Sequence, residues 1–102
     1  MTIHIKMKLY LIHTGYYDKS VGEGFFEQHT NIFIVAKNAF SAREKVKKLP
    51  QYVDKKMHID GIKEIKNIGG YDINLTKSSN QEKVNTYNHY QVRFLSKNKK
   101  KD

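Results

Sequence analysis

Residues 27–50 read EQHTNIFIVAKNAFSAREKVKKLP. The first ten alternate. Glu27, His29, Asn31, Phe33 and Val35 fall on one face of an extended chain, and Gln28, Thr30, Ile32, Ile34 and Ala36 on the other. The β-branched and aromatic content from Ile32 onward favours strand over helix. Asn38 then offers an N-cap, with Ser41 and Glu44 as a competing capping box. Ala39, Ala42, Val46 and Leu49 recur at helical spacing, so a helix over about 39–49 buries one apolar stripe. Pro50 closes it, because the residue before a proline avoids helical angles.

The flanks extend this strand–helix unit. Residues 8–14 are apolar on both faces, with Tyr10 and Ile12 on one side and Leu9, Leu11 and His13 on the other, which predicts a central strand. Residues 15–24, GYYDKSVGEG, read as a loop. In 56–66, Ile59, Ile62 and Ile65 recur every three residues, a helical hint. Gly61 and the β-branched content favour a strand with a bulge, and a strand is expected. Residues 67–70 read as a turn and 71–75 as a short strand. Residues 77–86 are polar, and 87–95 alternate again through Tyr90, Val92 and Phe94, as an edge strand would. The order β-β-α-β-β, with a further β at the end, predicts an α+β domain: one mostly antiparallel sheet of four or five strands with a helix on one face. Residues 1–96 are expected to form this one domain and 97–102 a basic disordered tail.

With 102 residues there is room for one domain, and the absence of Cys excludes a disulfide framework, a thiolate nucleophile and a Cys-ligated metal. The formal charge is +9, but Lys outnumbers Arg 17 to 2 and four Lys lie in the last six residues. Arg is the better residue for bidentate phosphate contacts, so the charge argues only weakly for nucleic acid. Arg43, Lys45, Lys47 and Lys48 on the helix, with Arg93 near the tail, would be the contacts; no RRM or KH signature accompanies them. A solvated helix face and a solubilising tail are the preferred reading. No apolar run is long enough for a signal peptide or a membrane span, so a cytoplasmic protein is expected, with Met1 or Met7 as its start. Small Ala residues on the helix stripe and an edge strand would permit a homodimer.

Two short patterns carry chemistry. Glu27 and His29 share a strand face, and so do His58 and Asp60. If the two strands neighbour each other, two imidazoles and two carboxylates converge. Such a set suits a divalent metal such as Zn²⁺ or Mn²⁺. It equally suits metal-free acid/base work, since a carboxylate orients a His. In the bland alternative these groups satisfy one another and nearby backbone.

Gly15, Tyr17 and Asp18, then Phe25, Glu27 and His29 before Val35 and Ala36, then His58 and Asp60, and finally Gly70, Tyr71, Ile73 and Leu75 stand in an ordered series. Over about residues 7–76 this series resembles the domain of unknown function 1543 family of small bacterial proteins. The resemblance picks out the same four polar residues. It establishes no activity. Tyr17 and Asp18, in the Gly-rich loop, are expected to close over such a site, and Tyr71 is expected nearby, all three as ligand contacts. The expected function is a small binding module for an unidentified ligand. The alternative is a metal-dependent hydrolytic enzyme, in which His29, His58 and Asp60 ligate and Glu27 is the general base. A nucleic-acid-binding accessory protein is third.

Overall fold

Apolar side chains on both faces of residues 8–14 suit a central strand, and the chain places this one between two others. The computed structural model describes residues 5–81 and 84–96; the expected tail at 97–102 lies outside them. Strands β1 (Lys8–Tyr17), β2 (Glu27–Ala36) and β3 (His58–Ile65) form one antiparallel sheet in the order β2-β1-β3. The β1–β2 ladder runs unbroken from Lys8 opposite Ala36 to Tyr17 opposite Glu27. The expected loop therefore starts later than its glycine suggested, because Gly15, Tyr16 and Tyr17 are ladder residues. The connection turns at Gly22, Glu23 and Gly24, which all have positive φ (54°, 59° and 83°). Glu23 alone among the three bears a Cβ there, a conformation that glycine adopts at lower cost.

Helix α1 (Ala39–Val46) lies across this sheet. Asn38 is its N-cap, its side-chain oxygen accepting from the Ser41 N–H at 2.8 Å. The helix ends a turn earlier than its stripe predicts. Lys48 and Leu49 instead donate to the carbonyls three residues back, a tightened last turn. Leu49 is extended, as a residue before proline should be, and Pro50 then opens a short helix α2 (Pro50–Asp54) at its first position, where its missing N–H costs nothing.

The core lies between the helices and one sheet face. Tyr10, Ile12, Ala36, Ala42 and Val46 are buried, with Ile32, Ile34, Leu49, Tyr52 and Ile59 packed around them. Thr14 is also fully buried, its hydroxyl donating to the Thr30 carbonyl at 3.2 Å. In β3 the register slips by one residue opposite His13 and Thr14. This bulge accounts for the three-residue recurrence. Ile59 pairs with Thr14 and Ile62 with Ile12, so both stand opposite buried β1 residues although they are three apart; Ile59 packs against the core and Ile62 stays exposed.

Two further expectations are corrected. The single sheet of four or five strands is a three-stranded sheet plus a separate two-stranded one, β4 (Asn67–Ile68) and β5 (Tyr71–Asp72). Gly69 and Gly70, both at positive φ (57° and 88°), make its two-residue turn. Asn67 closes that hairpin by bonding the Asp72 carboxylate at 2.9 Å and the Gly70 N–H at 3.1 Å. The strand therefore stops at Asp72, short of Leu75. The expected edge strand at 87–95 is instead a one-turn helix, α3 (His89–Arg93). Its reason is a reciprocal capping box. Asn88 accepts from the Gln91 N–H and Gln91 accepts from the Asn88 N–H, both at 2.9 Å. Local capping outweighs an alternation that has no neighbouring strand to pair with.

Among the described residues, no helix is long and apolar enough to cross a membrane.

Candidate functional site

The sheet face turned away from the core carries Leu9, Leu11, His13, Gly15 and Tyr17 on β1 and Glu27, His29, Asn31, Phe33 and Val35 on β2. Helices α1 and α2 pack on the opposite face, and Phe33 is left 65% exposed. At one end of this open face the polar cluster assembles. His29 and His58 both pair with Gly15, one from each side, so the three residues form a row across the sheet. The strands bearing the two polar patterns are therefore not neighbours; β1 separates them. Convergence still occurs because the residue between them has no side chain.

The Gly15 position is the physical key to the site. A Cβ placed there would lie 2.7 Å from His58 Nε2 and 2.8 Å from Asp60 Oδ2, and against Glu27 Oε2. The bare backbone is thus the floor on which three polar side chains meet. His58 Nε2 lies 2.5 Å from Glu27 Oε2 and 3.2 Å from Asp60 Oδ1. His29 presents Nε2 to Glu27 Oε1 at 3.3 Å and Nδ1 to Asp60 Oδ2 at 3.2 Å. Both ring nitrogens of His29 thus face carboxylate oxygens, which only accept when ionised. A neutral imidazole has one N–H, so a neutral His29 can donate to only one of these two carboxylates. The side chains are partly exposed, at 31–46% of their surface. A small ion can therefore reach them from solvent.

Among the described residues, two three-residue sets have potential ligand atoms within 4.8 Å of one another: Glu27, His58 and Asp60, and His13, His29 and Asp60. The ring of His13 stacks on that of His29, 7° from parallel with centroids 4.8 Å apart. Its Nδ1 donates to Asn31 Oδ1 at 2.8 Å, which leaves Nε2 as the acceptor of a neutral ring. Sequence reasoning missed Gly15, His13 and Asn31. The signal for all three was period two along an extended β1–β2 hairpin, hidden when Gly15 was read as the start of a loop.

The remaining site candidates are placed as follows. Tyr17 ends β1 opposite Glu27, 59% exposed, on the cluster's face. Asp18 follows in the turn and accepts from the hydroxyl and the N–H of Ser20, at 2.7 and 2.9 Å. These bonds hold its carboxyl below the usual range. A lowered carboxyl stabilises the fold above the unfolded-state value and loses that contribution as pH falls through the folded one. Thermal melts of Asp18→Asn should therefore lie below wild type at pH 7 and converge with it at strongly acidic pH. A constant difference across that range would contradict the turn's role. Tyr71 sits in β5, 78% exposed, on the hairpin that leaves β3 after Ile65, the strand end opposite His58. The structure does not bring it to the cluster.

Of the basic residues, Arg43 pairs with Glu44 at 3.1 Å and lies over the Phe40 ring. Lys45 donates to the Val35 carbonyl at 2.7 Å, and Lys47 is 4.0 Å from Glu44. Lys48 is exposed, and Arg93 lies over Phe94 on α3. This helix face spends much of its charge on its own surroundings.

A family model described as Domain of Unknown Function (DUF1543) matches residues 24–75, just over half of the chain. The chain belongs to the DUF1543 family. The match includes Glu27, His29, Asn31, His58, Asp60 and Gly61 of this DUF1543 protein. His13, Gly15, Tyr17 and Asp18 precede it. No curated protein and no solved structure matches the chain.

Proposed function

We propose that this DUF1543 protein is a small binding module that holds a divalent cation on its open sheet face, with His29, His58, Asp60 and Glu27 as ligands. The observation that carries this reading is the convergence of two imidazoles and two carboxylates from separate strands over Gly15. Four ligands about 2.1 Å from a tetrahedral Zn²⁺ would lie roughly 3.4 Å apart. The His58–Asp60 pair stands at 3.2 Å already, and Glu27, His58 and Asp60 offer ligand atoms within 4.8 Å of one another; His29 would join them through one ring nitrogen, since its contacts with Glu27 and Asp60 use opposite ones. The His58–Glu27 pair would open as the ion replaces their shared proton. Two imidazole nitrogens favour zinc over manganese, and zinc stands higher in the general affinity order.

Binding would release protons and weaken as the solution becomes more acidic, because every ligand must be deprotonated. The test is elemental analysis of untagged protein after zinc loading and desalting, wild type beside His29→Ala/His58→Ala. Near-stoichiometric zinc in the wild type, absent from a mutant that still melts cooperatively, is expected. A wild type that takes up neither Zn²⁺ nor Mn²⁺ would return the four residues to a structural role.

A further inference from the structure

Beside the cluster the open face dips into a hollow of about 320 Å³, lined by Leu11, His13, Asn31, Gly61, Ile62 and Lys63. That volume is at the small end of those that hold ligands. Its position follows from the register. His13 pairs with Asn31 and Gly61, and Leu11 with Phe33 and Lys63, one and two steps along the sheet from the Gly15 row. The bulge in β3 is what turns Gly61 toward this face. A Cβ there would meet nothing within 4 Å, so the missing side chain leaves open space.

The lining has a definite chemistry. Leu11 and the glycine backbone make an apolar floor. Lys63 has no ion-pair partner among the described residues, and the Asn31 amide nitrogen has no hydrogen-bond partner among them. Both are donors. The His13 wall stacks on His29, which ties the hollow to the cluster. Four residues of strand, roughly 13 Å, separate the Gly15 row from the Leu11–Lys63 row.

We propose that this hollow is the ligand subsite of the module, and that its ligand is a small organic anion with a carboxylate on a flat apolar body. The carboxylate is met by Lys63 and the Asn31 amide, and the body lies on Leu11 over Gly61. The cation bound next door adds to the attraction for negative charge, so the proposal in this form rests on the metal reading above.

The probe is 4-fluorobenzoate, followed by fluorine NMR line broadening against the full chain, zinc-loaded, with zinc content measured on the same samples. Wild type should bind the probe, and Gly61→Val and Lys63→Glu should each weaken it at least about tenfold with unchanged zinc. Gly61 has no positive φ, and valine is favoured in strands, so Gly61→Val should melt no lower than wild type. Equal probe binding in all three proteins, or none by a wild type that holds zinc, overturns the subsite. Probe binding that needs Gly61 and Lys63 in a chain without zinc upholds the subsite and removes the metal reading. A dimer broken by Gly61→Val with no effect of the probe also overturns it, by making this face an interface between copies.

Discussion

Gly15→Ala should lower zinc affinity by about 100-fold while leaving the melting temperature unchanged or slightly raised, an effect of the size seen when a metal site's supporting geometry is removed. The new methyl would collide with Glu27 Oε2, His58 Nε2 and Asp60 Oδ2, three groups asked to share one ion. All three are the ends of side chains and can swing outward, so the sheet itself need not move. Gly15 has no positive φ, and alanine in a strand interior is favoured over glycine by about 0.5–1 kcal/mol. A loss of stability is thus not the expected route to lost binding. Zinc titration calorimetry and a thermal melt on the same preparation separate the two. Wild-type zinc affinity in Gly15→Ala would mean that the ion, if bound, sits elsewhere.

Ile12→Ala should have the largest effect on stability. Ile12 is fully buried at the centre of β1, facing Ala42 and Val46 within a small core. Truncating a buried isoleucine costs about 2–5 kcal/mol, against roughly 5–15 kcal/mol for a whole domain. Urea denaturation should therefore show a large fall in midpoint or no folded baseline. Phe33→Ala removes a larger side chain from the open face, where it is 65% exposed, and should cost well under half as much. Equal losses in the two variants would contradict the assignment of the sheet's faces.

Much of the fold could be read from residue type alone, for identifiable reasons. The β1–β2–α1 unit has strong period-two and helical patterns, and Asn38 had a geometric use that Ser41 and Glu44 could not displace. The three-residue spacing of Ile59, Ile62 and Ile65 was ambiguous because a bulge makes a strand mimic helical recurrence. The alternation of Tyr90, Val92 and Phe94 misled because strand formation needs a partner, whereas the Asn88–Gln91 capping box needs only itself. Helix α2 was hidden behind a proline read solely as a stop. At the site, the pairs Glu27/His29 and His58/Asp60 were visible through period two, which is local. Their meeting across β1 was not, since it depends on pairing register and on a glycine whose contribution is space. Tyr71 is expected beside them, but the separate β4–β5 hairpin carries it to the other end of β3.

The most direct test of the cation site is a zinc titration followed through the ring nitrogens of the histidines, by long-range proton–nitrogen NMR on uniformly ¹⁵N-labelled protein. One equivalent of Zn²⁺ should shift ring nitrogens of His29 and His58 together and saturate at one ion per chain, while His89, on α3, stays unmoved. Spectra in which His29 and His58 do not respond to zinc, or respond no more than His89, would contradict the cation site.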